Sequence, residues 1–222
     1  MIRVALVGNI ASGKSTVDIF LQELGYLVLD TDKVCHCLLE NNAGIKRVFS
    51  SYDILDENQN ISREKLGKVV FSDKNLKTKL ENILHPQIRR KILEFFENNK
   101  SEKIVFIAIP LLFEANMQDL FDKILFVYTN DEIRLKRLIA RNNYSEEYAK
   151  IRLNSQLSQD EKIKRADYIV YNNSTKDELR KEVVKVLEQI RWYLYNLDCI
   201  LLLRLCHLCF PQLYQSIRFY IL

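Results

Sequence analysis

The sequence predicts an α/β fold of three layers, built on a five-stranded parallel sheet. Three observations predict it. Five apolar runs of strand length recur, at Val4–Val7, Leu27–Leu29, Ile104–Ile109, Ile124–Tyr128 and Tyr168–Tyr171. Segments with helical period separate them, and strands alternating with helices give a parallel sheet covered on both faces. Directly behind the first run stands Gly8-Asn9-Ile10-Ala11-Ser12-Gly13-Lys14-Ser15, which fits the phosphate-binding pattern G-x-x-x-x-G-K-[ST].

That loop follows a strand and precedes the amphipathic stretch Thr16–Leu24, the strand–loop–helix setting in which the pattern acts. Its glycines allow a tight turn that aims several N–H groups at one triphosphate. Lys14 can reach the β- and γ-phosphates, and Ser15 can ligate Mg²⁺. The following helix adds its positive end.

The second run ends on Asp30-Thr31-Asp32. A carboxylate there enters the same crevice as the phosphate loop. It can accept a proton from an attacking hydroxyl or hold Mg²⁺ through water. Asp is also a good helix N-cap. Both hold together if Asp30 or Thr31 caps while Asp32 faces the site.

From Thr31 to Lys103 the pattern is helical, broken by turn clusters such as Asp56–Asn60. It reads as a helical insert that leaves from the carboxyl end of a strand, where ligands bind in such sheets. Within it, His85-Pro86 marks a junction between two helices, with Pro86 at a first helical position. His85, Arg89 and Arg90 could bind anions or lie in solvent. After the third run, Pro110 ends ladder pairing. Leu111, Leu112 and Phe113 then form either core or the wall of an apolar part of a substrate, with Glu114 beside them.

Arg134, Arg137 and Arg141 are spaced i, i+3, i+7 and share one helix face. Alone such a stripe is a solvated cationic face. Beside a phosphate loop it supplies mobile cations for a transferring phosphoryl group. Asn142-Asn143 reads as a helix stop and Ser145-Glu146-Glu147 as a fresh start.

Composition bounds the rest. The 222 residues are 28% charged and 48% hydrophobic, with a net charge of +4. This is ordinary for a soluble domain. It suits an anionic small molecule and gives no nucleic-acid footprint. There are five cysteines. The chain runs straight into a strand, so the expectation is free thiols in the cytoplasm. Cys35-His36-Cys37 lacks zinc-ligand spacing.

The ordered motifs resemble dephospho-CoA kinase, of the P-loop nucleoside-monophosphate-kinase-like group. They read, after the loop, Asp30-Thr31-Asp32, His85-Pro86-Gln87-Ile88-Arg89 and Ile109-Pro110-Leu111-Leu112-Phe113-Glu114. Then come Arg137–Arg141, Gln156 with Lys162, and Ala166-Asp167 through Asn172. The resemblance covers roughly residues 1–190. It implies a P-loop kinase core (1–32, 103–133 and 165–190), a helical substrate-binding insert (33–102) and a lid (134–164). It implies phosphorylation by ATP, with Mg²⁺, of the 3′-hydroxyl of dephospho-CoA, the last step of coenzyme A synthesis. ATP would meet Gly8, Ala11, Ser12, Gly13, Lys14, Ser15, Thr16, Arg137 and Arg141, and Ser15 would position the metal. Dephospho-CoA would meet Asp32, His85, Arg89, Leu111, Leu112, Phe113 and Glu114. Lys14, Asp32 and Arg141 would carry the chemistry. Another small-molecule kinase, or a non-catalytic ATP sensor docking through its tail, is the alternative reading.

Three positions depart from the family pattern. Asn9 and Ala11 stand where relatives usually have glycine. Asn tolerates left-handed backbone, whereas Ala11 is unstrained only at negative φ. Arg134 stands where Gln is frequent. Residues 191–222 also fall outside the pattern: Lys and Glu vanish while Leu, Ile, Tyr, Phe and Cys dominate. The readings for this tail are an extra packed helix, an interfacial membrane contact, and a disordered extension. Arg204 and Asp198 argue against a bilayer span. A chain ending near Ile190 is expected to keep full activity.

Overall fold

The computed structural model describes residues 1–209. Five strands, β1 (Ile2–Gly8), β2 (Leu27–Asp30), β3 (Ile104–Ala108), β4 (Lys123–Tyr128) and β5 (Tyr168–Tyr171), form one sheet. All neighbours are parallel, in the order β2-β3-β1-β4-β5. The three inner strands read as continuous apolar runs because both faces are covered. Val4 and Leu6 of β1, Ile104 and Phe106 of β3, and Leu125 and Val127 of β4 face one core. There they meet α1 (Lys14–Glu23) and α9 (Lys176–Cys209). Ala5, Val7, Val105, Ile107, Ile124 and Phe126 face the other, against Ile92 and Phe96. The period-two alternation of strand side chains makes the two cores.

Between β2 and β3 lie α2 (Thr31–Glu40), α3 (Ala43–Val48), α4 (Arg63–Ser72) and α5 (Lys74–Asn98). They have a core of their own, in which Leu39, Ile45, Phe49, Ile54, Leu66 and Leu84 are buried. Helix α5 serves both bodies: Leu76 and Leu84 belong to the insert core, Ile92 and Phe96 to the sheet. This corrects the expected helix junction at His85-Pro86, because α5 runs unbroken through Pro86. The proline removes the N–H that Asn82 would accept, and packing on two cores outweighs that loss.

After β4 come α6 (Asp131–Asn142), α7 (Glu146–Leu153) and α8 (Gln159–Ile163). The expected stop and start hold: Asn143 closes α6 at φ 53°, and Ser145 caps α7 through the N–H of Tyr148. Helix α9 continues past 191 to Cys209, and residues 210–222 of the expected tail lie outside the described residues. Among the described residues, no helix is long and apolar enough to cross a membrane.

Candidate active site

The phosphate loop joins β1 to α1. Both of its glycines are dictated by contacts. A Cβ on Gly8 would lie 2.4 Å from Ser12 Oγ. Gly13 sits at φ +89°, and a Cβ there would meet the amide of Asn172. The two departures that lie within the loop behave differently. Asn9 does not use left-handed backbone; it is buried, and its side-chain amide donates to the carbonyl of Leu157 at 2.9 Å. Ala11 takes φ 62°, the strained geometry that the sequence reading required it to avoid.

The carboxyl end of β2 delivers the acid. Asp30 caps α2, its side chain accepting from the N–H of Asp32 at 2.9 Å. Thr31 Oγ1 donates to the carbonyl of Ala108 at 2.9 Å, tying the helix start to the end of β3. Asp32 is left in the first turn, facing the crevice. It lines a polar cleft of about 410 Å³ with Gly8–Thr16, Arg137, Arg141 and Gln156. It also lines an apolar cavity of about 230 Å³ with Cys35, Leu84, His85, Ile88 and Leu111. Pro110 is the other residue common to both. Crowding by protein pushes the Asp32 carboxyl above the ordinary aspartate range; Asp30 adds to this, while Lys14 and His36 oppose it. Burial, with Asp32 nearby, raises the Cys35 thiol.

Of the arginine stripe, Arg137 and Arg141 line the cleft. Neither they nor Lys14 pairs with a carboxylate among the described residues, which leaves three cations facing a space sized for a polyanion. Arg134 turns elsewhere. It is 3% exposed, donates Nε to the carbonyl of Ile10 at 3.0 Å, and pairs with Asp131 at 2.7 Å.

The expected acceptor residues divide. His85 and Leu111 line the apolar cavity. Leu112 and Phe113 do not; both are buried in the sheet core, since the chain after Pro110 turns back onto β3. Arg89 lines neither cavity and forms a two-nitrogen pair with Asp119, one bond of 3.0 Å. Glu114 also lines neither, and pairs with the buried Lys162 at 2.8 Å. Sequence reading assigned no role at the site to Cys35, Phe71, Lys77 or Glu81, which line the apolar cavity. The signal was present: Cys35 is one turn from Asp32 on α2, and Lys77, Glu81 and His85 recur every four residues on α5. Gln156 in the polar cleft entered only as a motif position.

Mg²⁺ fits what is here. Ser15 is exposed and lines the same cleft as Asp32, and the metal takes few protein ligands beside substrate phosphates.

A family model for dephospho-CoA kinase matches residues 2–178. The chain belongs to the dephospho-CoA kinase family. The dephospho-CoA kinase of Listeria innocua is 38% identical over 193 residues, 84% of this chain and 96% of the relative. The solved dephospho-CoA kinase from Campylobacter jejuni superposes with a TM-score of 0.68 at 37% identity, over 85% of this chain and 96% of that one. A Thermus thermophilus crystal structure superposes with a TM-score of 0.75 at 33% identity, over 85% and 97%. The kinase is a transferase that phosphorylates dephospho-CoA with ATP and Mg²⁺ in coenzyme A synthesis.

Proposed function

We propose that the phosphoryl group crosses from the polar cleft to the apolar cavity at Asp32. The observation that carries this is that Asp32 lines both spaces. The loop amides from Ala11 to Thr16 and the Lys14 ammonium hold the β- and γ-phosphates. Asp32 takes the proton of the 3′-hydroxyl or orients that hydroxyl; its raised pKa favours proton transfer, since a more basic carboxylate is the better acceptor. Arg141, with Arg137, spreads over the charge of the transferring group. Ser15 would hold Mg²⁺ together with the phosphates, and the ion would supply neutralisation of phosphate charge.

His85 and Leu111 hold the acceptor in this reading, with Cys35, Leu84 and Ile88 as its apolar wall. Residues 33–102 act as the acceptor-binding insert and 134–164 as a lid that excludes water, a competing acceptor. The modest charge of +4 supports a small anionic partner over a nucleic acid. The unpaired thiols of Cys35 and Cys37 support a reducing, cytoplasmic setting.

The test is ADP release with Mg-ATP and, separately, dephospho-CoA, AMP, UMP and shikimate. Release is expected with dephospho-CoA alone and is expected to be lost in Asp32→Asn. Equal release with another acceptor, or undiminished release by Asp32→Asn, overturns the reading.

A further inference from the structure

Glu114 stands after β3 in the segment expected to wall the acceptor, yet its contacts run the other way. Its Oε1 lies 2.8 Å from Nζ of Lys162, whose side chain is 0% exposed. The same oxygen accepts from the backbone N–H of Leu157 at 3.2 Å. The carbonyl of Leu157 accepts from the Asn9 side chain at 2.9 Å. One residue earlier, Gln156 accepts from the N–H of Ile10 at 2.8 Å. The segment after α7 therefore grips the first two variable residues of the phosphate loop.

Such a grip has a purpose. The second half of the loop is set by Gly13 and the start of α1. The first half has few internal bonds; Ser12 N–H to the Asn9 carbonyl is one. Loop amides bind phosphate well only when already aimed, so residues 9 and 10 need an outside frame. Residues 156 and 157 supply it on one side, as Arg134 does at the Ile10 carbonyl, and residues 156 and 157 need an anchor. The pair is a stiff anchor because the buried Lys162 ammonium cannot be left without its carboxylate cheaply.

We propose that Glu114 is a positioning residue for ATP. Held by Lys162, it fixes Leu157, which fixes Asn9 and with it the first half of the phosphate loop. The proposal rests on reading the polar cleft as the ATP phosphate site. Glu114 touches no reacting atom, and its loss acts on ATP and not on the acceptor.

Two double variants isolate this. Glu114→Gln with Lys162→Met removes the charge pair, buried on its lysine side, but keeps an oxygen that can accept from Leu157. Glu114→Ala with Lys162→Met removes the pair and the oxygen. Neither leaves a buried ammonium unpaired, so thermal stabilities are expected to be similar. The alanine double is expected to raise KM for ATP about tenfold over the glutamine double, the scale of one well-placed hydrogen bond. KM for dephospho-CoA stays within about twofold in both. A rise in KM for dephospho-CoA instead, or equal KM for ATP in the two doubles, overturns the proposal. If the alanine double does not fold, Asn9→Ala breaks the same relay at its far end. It must then raise KM for ATP alone, and an unchanged value overturns the proposal. Calorimetry on Lys14→Met separates the two levels. Undiminished ATP binding there overturns the reading of the cleft and the proposal with it. Lost binding there, with equal doubles, overturns the proposal alone.

Discussion

Asn172 occupies the space that a side chain on Gly13 would need. Its Nδ2 donates to the carbonyl of Ser12 at 2.7 Å and lies 2.1 Å from where a Cβ at residue 13 would stand. Asn172 follows β5, so the far edge of the sheet braces the phosphate loop. Thr129, after β4, donates to the same Ser12 carbonyl at 2.8 Å. Gly13→Ala meets this brace and a φ of +89° together. Either the asparagine leaves or the loop moves, and the N–H groups lose their common aim. The expected result is a drop of about a hundredfold in kcat/KM for ATP, the scale of misplacing a preorganised anion site. A coupled assay measures it, and near-normal kinetics would show that the brace yields without moving the loop.

Ala11 gives the opposite prediction from the same loop. At φ 62° an L side chain is strained by about 1 to 2 kcal/mol, and glycine is not. Glycine loses about 0.4 to 1 kcal/mol through the greater freedom of the unfolded chain. Ala11→Gly is therefore expected to stabilise the fold by about 0.5 to 1 kcal/mol, or about 2 °C in Tm for a chain of this size. Differential scanning calorimetry decides it. A lower Tm would mean that neighbouring contacts of the Ala11 methyl outweigh the strain.

Asp32 carries a sign that can be checked twice. Its carboxyl is raised chiefly by desolvation, so the folded state holds that proton more tightly than the unfolded state does. The folded state is thus favoured where Asp32 is protonated, and this contribution is lost as pH rises through the unfolded and then the folded pKa. At neutral pH the ionised group works against folding, and Asp32→Asn is expected to match or exceed the wild type in Tm. Activity moves the other way. A base must be ionised, so kcat/KM falls on the acid side with a midpoint above the ordinary aspartate value near 3.9. Asp32→Asn lowers kcat by about 10² to 10⁴ and removes that limb. A variant with both low Tm and an unchanged acid limb would assign the aspartate a structural task.

Much of the fold and of the phosphate site is legible in the sequence. The strands were legible because three of them are buried on both faces and so appear as unbroken apolar runs. The phosphate loop was legible because its glycines, Lys14 and Ser15 stand at a fixed spacing within eight consecutive residues. What escaped was decided by long-range partners. Arg134 shares a helix face with Arg137 and Arg141 by spacing, yet a turn's difference in position sets it against the Ile10 carbonyl. Arg89 and Glu114 look free in sequence, and Asp119 and Lys162 claim them in space. Pro86 reads as a boundary because local propensity forbids it within a helix; two cores on one helix override that. Leu111, Leu112 and Phe113 are equivalent in composition, and only the turn after Pro110 separates the one at the cavity from the two in the core.

The carboxyl-terminal helix yields the last prediction, and it refines the expected boundary at Ile190. Leu179, Val183, Val186, Leu187 and Ile190 of α9 lie in the sheet core at helical spacing. The packed face does not stop there. Tyr193 and Leu194 pack against the same core, Lys123 lies 4.4 Å from the Tyr193 ring, and Arg191 donates to the Tyr26 hydroxyl at 2.8 Å. On the other side Trp192 and Tyr195 are about 70% exposed. A chain ending at Ile190 loses one apolar turn, two cation–π contacts (Lys123 on Tyr193 and Arg191 on Tyr26) and one hydrogen bond, together about 2 to 3 kcal/mol. Its Tm is expected to fall by about 5 to 10 °C. None of these contacts reaches either cavity, so kcat at 20 °C should stay within about twofold of the full chain. A chain ending at Asn196 keeps all of these contacts, so its Tm should exceed that of the chain ending at Ile190 by the same amount. Equal Tm for the two shortened chains would show that residues 191–196 merely lie on the core, and a large fall in kcat for either would connect this helix to the site.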